Sequence, residues 1–160
     1  MDDLVGARNR EDAKQREERA AWLLERYTPF NVVMMPRFSK FDFILYSING
    51  AVRTSQIIAE FRYRDVLPTQ YDTIRITKEK VDQILVVAQH LDINRAWFLL
   101  QFSDESIWVA DMFKFPGLPV VKDFKRNNQE RPGDKPEDAY DIPITAFINW
   151  TDTKKASEDA

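Results

Sequence analysis

Apolar residues change their period along this chain, and the changes mark out its elements. Over residues 11–27, Ala20, Ala21, Leu24 and Tyr27 recur at three- and four-residue spacings among charged neighbours, as on one face of a helix. Thr28-Pro29 ends that helix, because the residue before a proline is pushed out of the helical region. Phe30 to Met35 reads as a short apolar strand closed by Pro36. Phe41 to Ile48 reads as a second strand, dense in aromatic and β-branched residues. Asn49-Gly50 is a strong signal for a tight hairpin, so a third strand from about Thr54 to Tyr63 returns against the second. Side chains alternate along it: Ile57, Ala59, Phe61 and Tyr63 form an apolar set that predicts a core face. Glu60 and Arg62 share the opposite face with Ile58 and Arg64.

Asp65 to Asp72 is a loop holding Pro68, and Thr77 is the expected N-cap of a second helix running to about Leu91. Val81, Ile84, Leu85 and Ala88 are its buried stripe, and His90 near its C-terminus complements the helix dipole. Ala96 to Phe102 and Ser106 to Met112 are strands joined by a turn at Ser103-Asp104-Glu105. Trp22, Trp97 and Trp108 fall at spacings that predict core positions. Residues 1–10 read as a flexible N-terminus, 11–150 as one domain with a mobile loop at about 116–138, and 151–160 as a disordered tail. Ile142 to Trp150 is a last strand or short helix packing back. Helix, three strands, helix and two strands in that order predict an α/β fold with a mixed sheet flanked by helices.

The chain has 160 residues, 44% of them apolar, which is enough for one domain with a real core. Its net charge of −3 exerts no global pull on nucleic acid, so any DNA contact must come from a local patch. Arg53, Arg62, Arg64, Arg75, Lys78, Lys80 and Arg95 supply cations, Arg37 and Lys40 precede Asp42, and the segment from Lys122 to Arg131 reads as a basic arm. There is no cysteine and one histidine, which excludes disulfides, thiolate zinc sites and multi-histidine sites. A metal here must be held by oxygen, which favours Mg²⁺ or Mn²⁺. No apolar run reaches the ~18 residues of a membrane span. The charged N-terminus is unlike a signal peptide, so a soluble cytoplasmic protein with no membrane partner is expected.

The hairpin brings Asp42, at the start of one strand, toward Glu60, near the end of the next. Paired carboxylates can share a divalent metal that polarises a phosphodiester, and a cation two residues beyond, Arg62, lies on the same face to offset developing charge. Asp42 and Glu60 are thus the candidate metal ligands, and Asp42, Glu60 and Arg62 the candidate catalytic set.

Ser39-Lys40-Phe41-Asp42, the hairpin and Ile58-Ala59-Glu60-Phe61-Arg62-Tyr63-Arg64-Asp65 together resemble the PD-(D/E)XK nuclease superfamily. Small phage-type and Holliday-junction-resolvase-like members are most similar. The likeness covers roughly residues 11–112 and takes in the leading helix, the helix beginning near a lysine and the apolar strand hairpin. Asp141-Ile142-Pro143-Ile144 adds a terminal segment like that of phage-type members. The resemblance implies a restriction-endonuclease-like mixed β-sheet flanked by helices and a Mg²⁺-dependent DNA endonuclease, a phosphodiester hydrolase. It implies DNA as partner, a homodimer as one expected assembly and the host cytoplasm as location for a phage-encoded member. It implies that Asp42 and Glu60 bind the metal and that Glu60 also touches the nucleophilic water. Arg62 stands where the family usually has lysine. The family's first-helix glutamate corresponds best to Glu17, which shares a face with Ala20, Ala21 and Leu24, with Glu18 as alternate; both also read as members of an exposed charged run.

Arginine stays protonated and cannot serve as a base, although it binds phosphate bidentately. Three outcomes are open: a slow site with Arg62 as an electrostatic element, a site completed by Lys78 or Lys80, or a dead site. The last is the alternative reading, a catalytically inactive nuclease-fold protein that binds a host or phage protein complex as defence inhibitor or scaffold. The acidic net charge suits such a partner.

Overall fold

The computed structural model of the chain describes residues 2–49, 52–124 and 137–151, with the backbone alone for 2–10, 48–49, 52–55 and 123–124. Helix α1 (Asp2–Tyr27) starts earlier than its apolar stripe, so the segment expected to be a flexible N-terminus continues the helix from residue 2. Thr28 ends it, donating its hydroxyl to the Leu24 carbonyl and accepting the Phe30 amide at 3.2 Å.

Strands β1 (Asn31–Met34), β2 (Phe43–Asn49) and β3 (Val52–Tyr63) form an antiparallel meander. Asn49 opposes Val52, as the hairpin reading requires, while Gly50 lies outside the described residues. The chain then crosses through β4 (Thr73–Thr77) and helix α2 (Lys78–His90) to β5 (Ala96–Gln101), which lies parallel to β3. β6 (Ile107–Asp111) returns antiparallel to β5, and a 3₁₀ turn (Met112–Gly117) follows. β7 (Val120–Phe124), β8 (Glu137–Pro143), a 3₁₀ turn (Ile144–Ala146) and β9 (Ile148–Asn149) complete the order. The larger sheet is six-stranded and mixed, ordered β1-β2-β3-β5-β6-β9; a smaller sheet is ordered β4-β8-β7. Among the described residues, no helix is long and apolar enough to cross a membrane.

The smaller sheet departs from the sequence reading. β7 stands inside the segment expected to be a mobile loop at 116–138, and β4 fills the gap before the second helix. Each strand is five residues long. Ile74 and Ile76 turn inward while Arg75 turns out to pair with Asp141 at 3.5 Å. Too short to display a period, β4 exists because its apolar alternates Ile74 and Ile76 close a core. Residues 125–136, with most of the proposed basic arm, and residues 152–160 lie outside the described residues. Thr77 stands at the N-cap of α2 in extended geometry, but its side chain makes no capping bond because the residue also ends β4.

Two cores cover the two faces of the larger sheet. On one, Ala20, Leu23 and Leu24 of α1 pack on Phe43, Leu45, Ile57, Ala59, Phe61 and Leu99. On the other, the α2 stripe of Val81, Ile84, Leu85 and Ala88, as expected from its period, packs with Ile58, Phe98 and Leu100 and with Ile74, Ile76, Tyr140 and Ile142 of the smaller sheet. β3 is therefore buried on both faces. Trp22 is the exception among the tryptophans: it is 49% exposed, with the guanidinium groups of Arg19 and Arg26 over its ring at 4.7 and 5.3 Å. It shares no ridge with Ala20 and Leu24, so the helix turns it to water.

Phe98 is fully buried, with the rings of Phe115 and Phe147 at 6.2 and 5.9 Å. Phe98→Ala is expected to lower stability by about 3–5 kcal/mol in urea denaturation. Trp22→Ala should stay within about 0.5 kcal/mol. Equal losses at the two sites would contradict this division of core and surface.

Candidate active site

Asp42 stands one residue before β2, where that strand has run out but β3 continues. Its backbone still holds the sheet, donating from its amide to the Ala59 carbonyl at 3.0 Å, while its carbonyl accepts the Met35 amide at 2.9 Å. Its carboxylate takes up the next edge position of β3, with Oδ2 accepting the Phe61 amide at 2.8 Å. The side chain thus replaces the missing strand as partner of a backbone donor, and is held beside Glu60 by that bond.

Glu60 is fully buried in the middle of the sheet, opposite Phe98 of β5. Among the described residues, neither of its oxygens accepts a hydrogen bond. Its charge is met instead by two cations, Arg62 Nη2 at 3.1 Å and Lys80 Nζ at 3.6 Å from Oε2. Burial first, then the Asp42 carboxyl beside it, push the Glu60 carboxyl up to about 8, against the opposing pull of Arg62 and Lys80. Adjacent carboxylates repel unless a proton or a cation lies between them.

Arg62 follows on the same face of β3, as alternation requires. Its Nη1 donates to the Phe61 carbonyl at 3.1 Å, so one guanidinium spans the strand's own carbonyl and the Glu60 carboxylate. Glu17 of α1 lies near enough to Asp42 and Arg62 to feel their charges. Burial raises its pKa first; Asp42 raises it further and Arg62 lowers it. Glu18 is exposed, so the geometry separates the two first-helix candidates.

It also separates the two lysines. Lys80 reaches Glu60, whereas Lys78 pairs with Asp82 on its own helix and lies over the Tyr140 ring at 5.9 Å. The signal was in the sequence: Lys80 lies on the i, i+4 row of Ile84 and Ala88, which faces the sheet, and Lys78 lies on the row of Asp82. The backbone amide of Phe61 was not foreseen, because it anchors Asp42 only where β2 ends and β3 does not. His90 closes α2 as expected. Asp104 and Glu105 form a turn, with Glu105 paired to Arg19 at 3.1 Å.

Among the described residues, no three acidic or histidine side chains form a closed metal cage. The donor set is two neighbouring carboxylates, of which Glu60 has buried oxygens without a hydrogen bond among the described residues. That chemistry fits a hard cation that keeps most of its water, as Mg²⁺ does when held by one or two carboxylates and a phosphate.

No protein-family model and no curated protein matches the chain. Solved structures do. The Holliday junction resolvase Hjc of Archaeoglobus fulgidus is similar with a TM-score of 0.53 at 14% identity, over 88% of this chain and 98% of the resolvase. D212, a nuclease from a fusselovirus, aligns with a TM-score of 0.46 at 15% identity, over 95% of this chain and 90% of the nuclease. The chain has the α/β fold of the resolvase, a restriction-endonuclease-like mixed sheet flanked by helices.

The buried carboxyl of Glu60 makes stability depend on pH. Its folded pKa, about 8, lies above the ordinary 4.5. Between these values the unfolded chain releases a proton that the folded chain keeps, so stability falls as pH rises through this window. In metal-free buffer, thermal unfolding of the wild type should show Tm declining from pH 5 toward pH 8 by more than in Glu60→Gln. Parallel profiles for the two proteins would refute the assignment.

Proposed function

We propose that this protein is a metal-dependent nuclease that hydrolyses DNA phosphodiesters at the Asp42–Glu60 site. The observation that carries the reading is the pair of carboxylates at one end of β2 and β3, one of them fully buried without a hydrogen bond and met by two cations. Burying such a group costs several kcal/mol unless something offsets it, and nothing in the packing of the core requires an acid there. The similarity in fold to a Holliday junction resolvase agrees with this reading.

On this reading Asp42 and Glu60 hold Mg²⁺ or Mn²⁺, with Glu17 as an accessory acid. The metal, when bound, supplies Lewis-acid polarisation of the scissile phosphate and a water of lowered pKa. The chain's residues do the rest. Asp42 is kept in position by the Phe61 amide. Glu60 also touches the attacking water. Lys80 takes the place of the motif lysine: a compact ammonium beside Glu60, carried by a different element. Arg62, permanently charged, binds a phosphate oxygen and offsets the charge gathered in the transition state. The cleft between Lys40 and α2 is an unsuitable path for the backbone, because Glu79, Asp82, Glu137 and Asp138 line it against Lys40 and Lys78.

One observation favours a second reading, binding without cleavage. The Arg62 guanidinium is already engaged by Phe61 and Glu60 of its own strand. If that bridge is never released, the nuclease fold serves a protein or DNA partner instead.

Incubation with supercoiled and linear DNA in Mg²⁺ or Mn²⁺ should give nicked and cut products. Glu60→Ala and Asp42→Ala should abolish them, and Lys80→Ala should lower the rate by about 10²–10⁴. Arg62→Lys should retain cleavage. No cutting by the wild type, or cutting by Glu60→Ala at the wild-type rate, would sink the nuclease reading. Cleavage that appears only in Arg62→Lys would establish the binding reading.

A further inference from the structure

The loop that delivers Asp42 carries an apolar side chain that no part of the core uses. Phe38 is 91% exposed, the most exposed of the large apolar side chains among the described residues. It stands at the tip of the β1–β2 hairpin. The loop is closed at its base by the Met35 amide on the Asp42 carbonyl, at 2.9 Å, and within by the Ser39 amide on the Pro36 carbonyl, at 2.9 Å. Asp42 is in turn tied to β3 through Ala59 and Phe61. The ring is therefore presented on a braced turn and not on a loose one.

Its neighbours are cationic. Arg37 and Lys40 are both exposed on the same loop, and the Arg37 guanidinium lies 5.9 Å from the Phe38 ring centroid. An exposed aromatic ring between two cations has an apolar face for a base and charges for the phosphates on either side.

The reach can be bounded. Phe38 is four residues from Asp42, and four extended residues span at most about 14 Å. At about 3.4 Å of rise per nucleotide, the ring meets the DNA within about four base steps of a phosphate bound at Asp42. Bases inside an intact duplex are stacked on both sides and offer no face. Only an extrahelical or unpaired base close to the scissile bond does.

We propose that Phe38, flanked by Arg37 and Lys40, is a stacking wedge that selects DNA carrying an unpaired or splayed base next to the cleaved phosphate. The inference rests on the nuclease reading for the position of the DNA, but its test does not need cleavage. In EDTA, the binding of the full chain to a labelled intact duplex is compared with binding to the same duplex carrying one extrahelical 2-aminopurine. The wild type should bind the second DNA about tenfold more tightly, the size of one base–aromatic stack. Phe38→Ala should erase this preference while leaving affinity for the intact duplex within about twofold, and Phe38→Tyr should keep it. Equal affinity of the wild type for both DNAs, or a preference that persists in Phe38→Ala, would overturn the proposal. So would a change of oligomeric state in Phe38→Ala by sedimentation, which would make the ring a subunit contact. Selective binding by a protein that never cuts in Mg²⁺ would uphold the wedge and refute the nuclease. Cutting that ignores the unpaired base would do the reverse.

Discussion

Glu60 is an acid near the end of a strand that is covered on both sides. β3 runs between β2 and β5, with α1 over one face and α2 over the other, so a side chain at this position is buried. A carboxylate there without hydrogen bonds is stable only as a protonated acid or in the field of cations. The arrangement of the surrounding elements answers that requirement. β3 contributes Arg62 two residues on, and α2 contributes Lys80 from above. Asp42 adds a second negative group instead of relieving the first, which keeps the pair in want of positive charge.

The smaller sheet acquires a purpose from this. β4 runs straight into α2, and its pairing with β8 holds the helix start from Thr77 opposite Ala139. The apolar alternates Ile74, Ile76, Tyr140 and Ile142 pack the same core as the α2 stripe. The first turn of α2, and with it Lys80, is therefore positioned by a sheet that contains none of the site's acids. On the proposed reading, α2 is the element that holds a cation where the motif lysine would stand.

The guanidinium of Arg62 is placed by the same logic as a lysine would be, but it behaves differently. It bridges the Phe61 carbonyl and the Glu60 carboxylate with two nitrogens at once, a fork that an ammonium cannot make. With Lys80, the bridge offsets the charge of the buried acid. On the proposed reading it would also compete for the carboxylate that a metal would use.

Much of this was legible in the sequence. The third strand's alternation placed Glu60 with Arg62 on one face, and the Asn49-Gly50 signal brought Asp42 to the same end. The period of α2 named its four buried residues, and the α1 stripe favoured Glu17 over Glu18. These are properties of neighbouring residues along one element, and local periodicity determines them. The smaller sheet, the exposure of Trp22 and the anchoring of Asp42 by the Phe61 amide came only with the tertiary structure. Strands of five residues have no period to read, and their pairing joins segments far apart in the chain. The state of Glu60 came from the same source. Alternation can say which way a side chain points, but whether it points into water or into a second core depends on which helix closes over it.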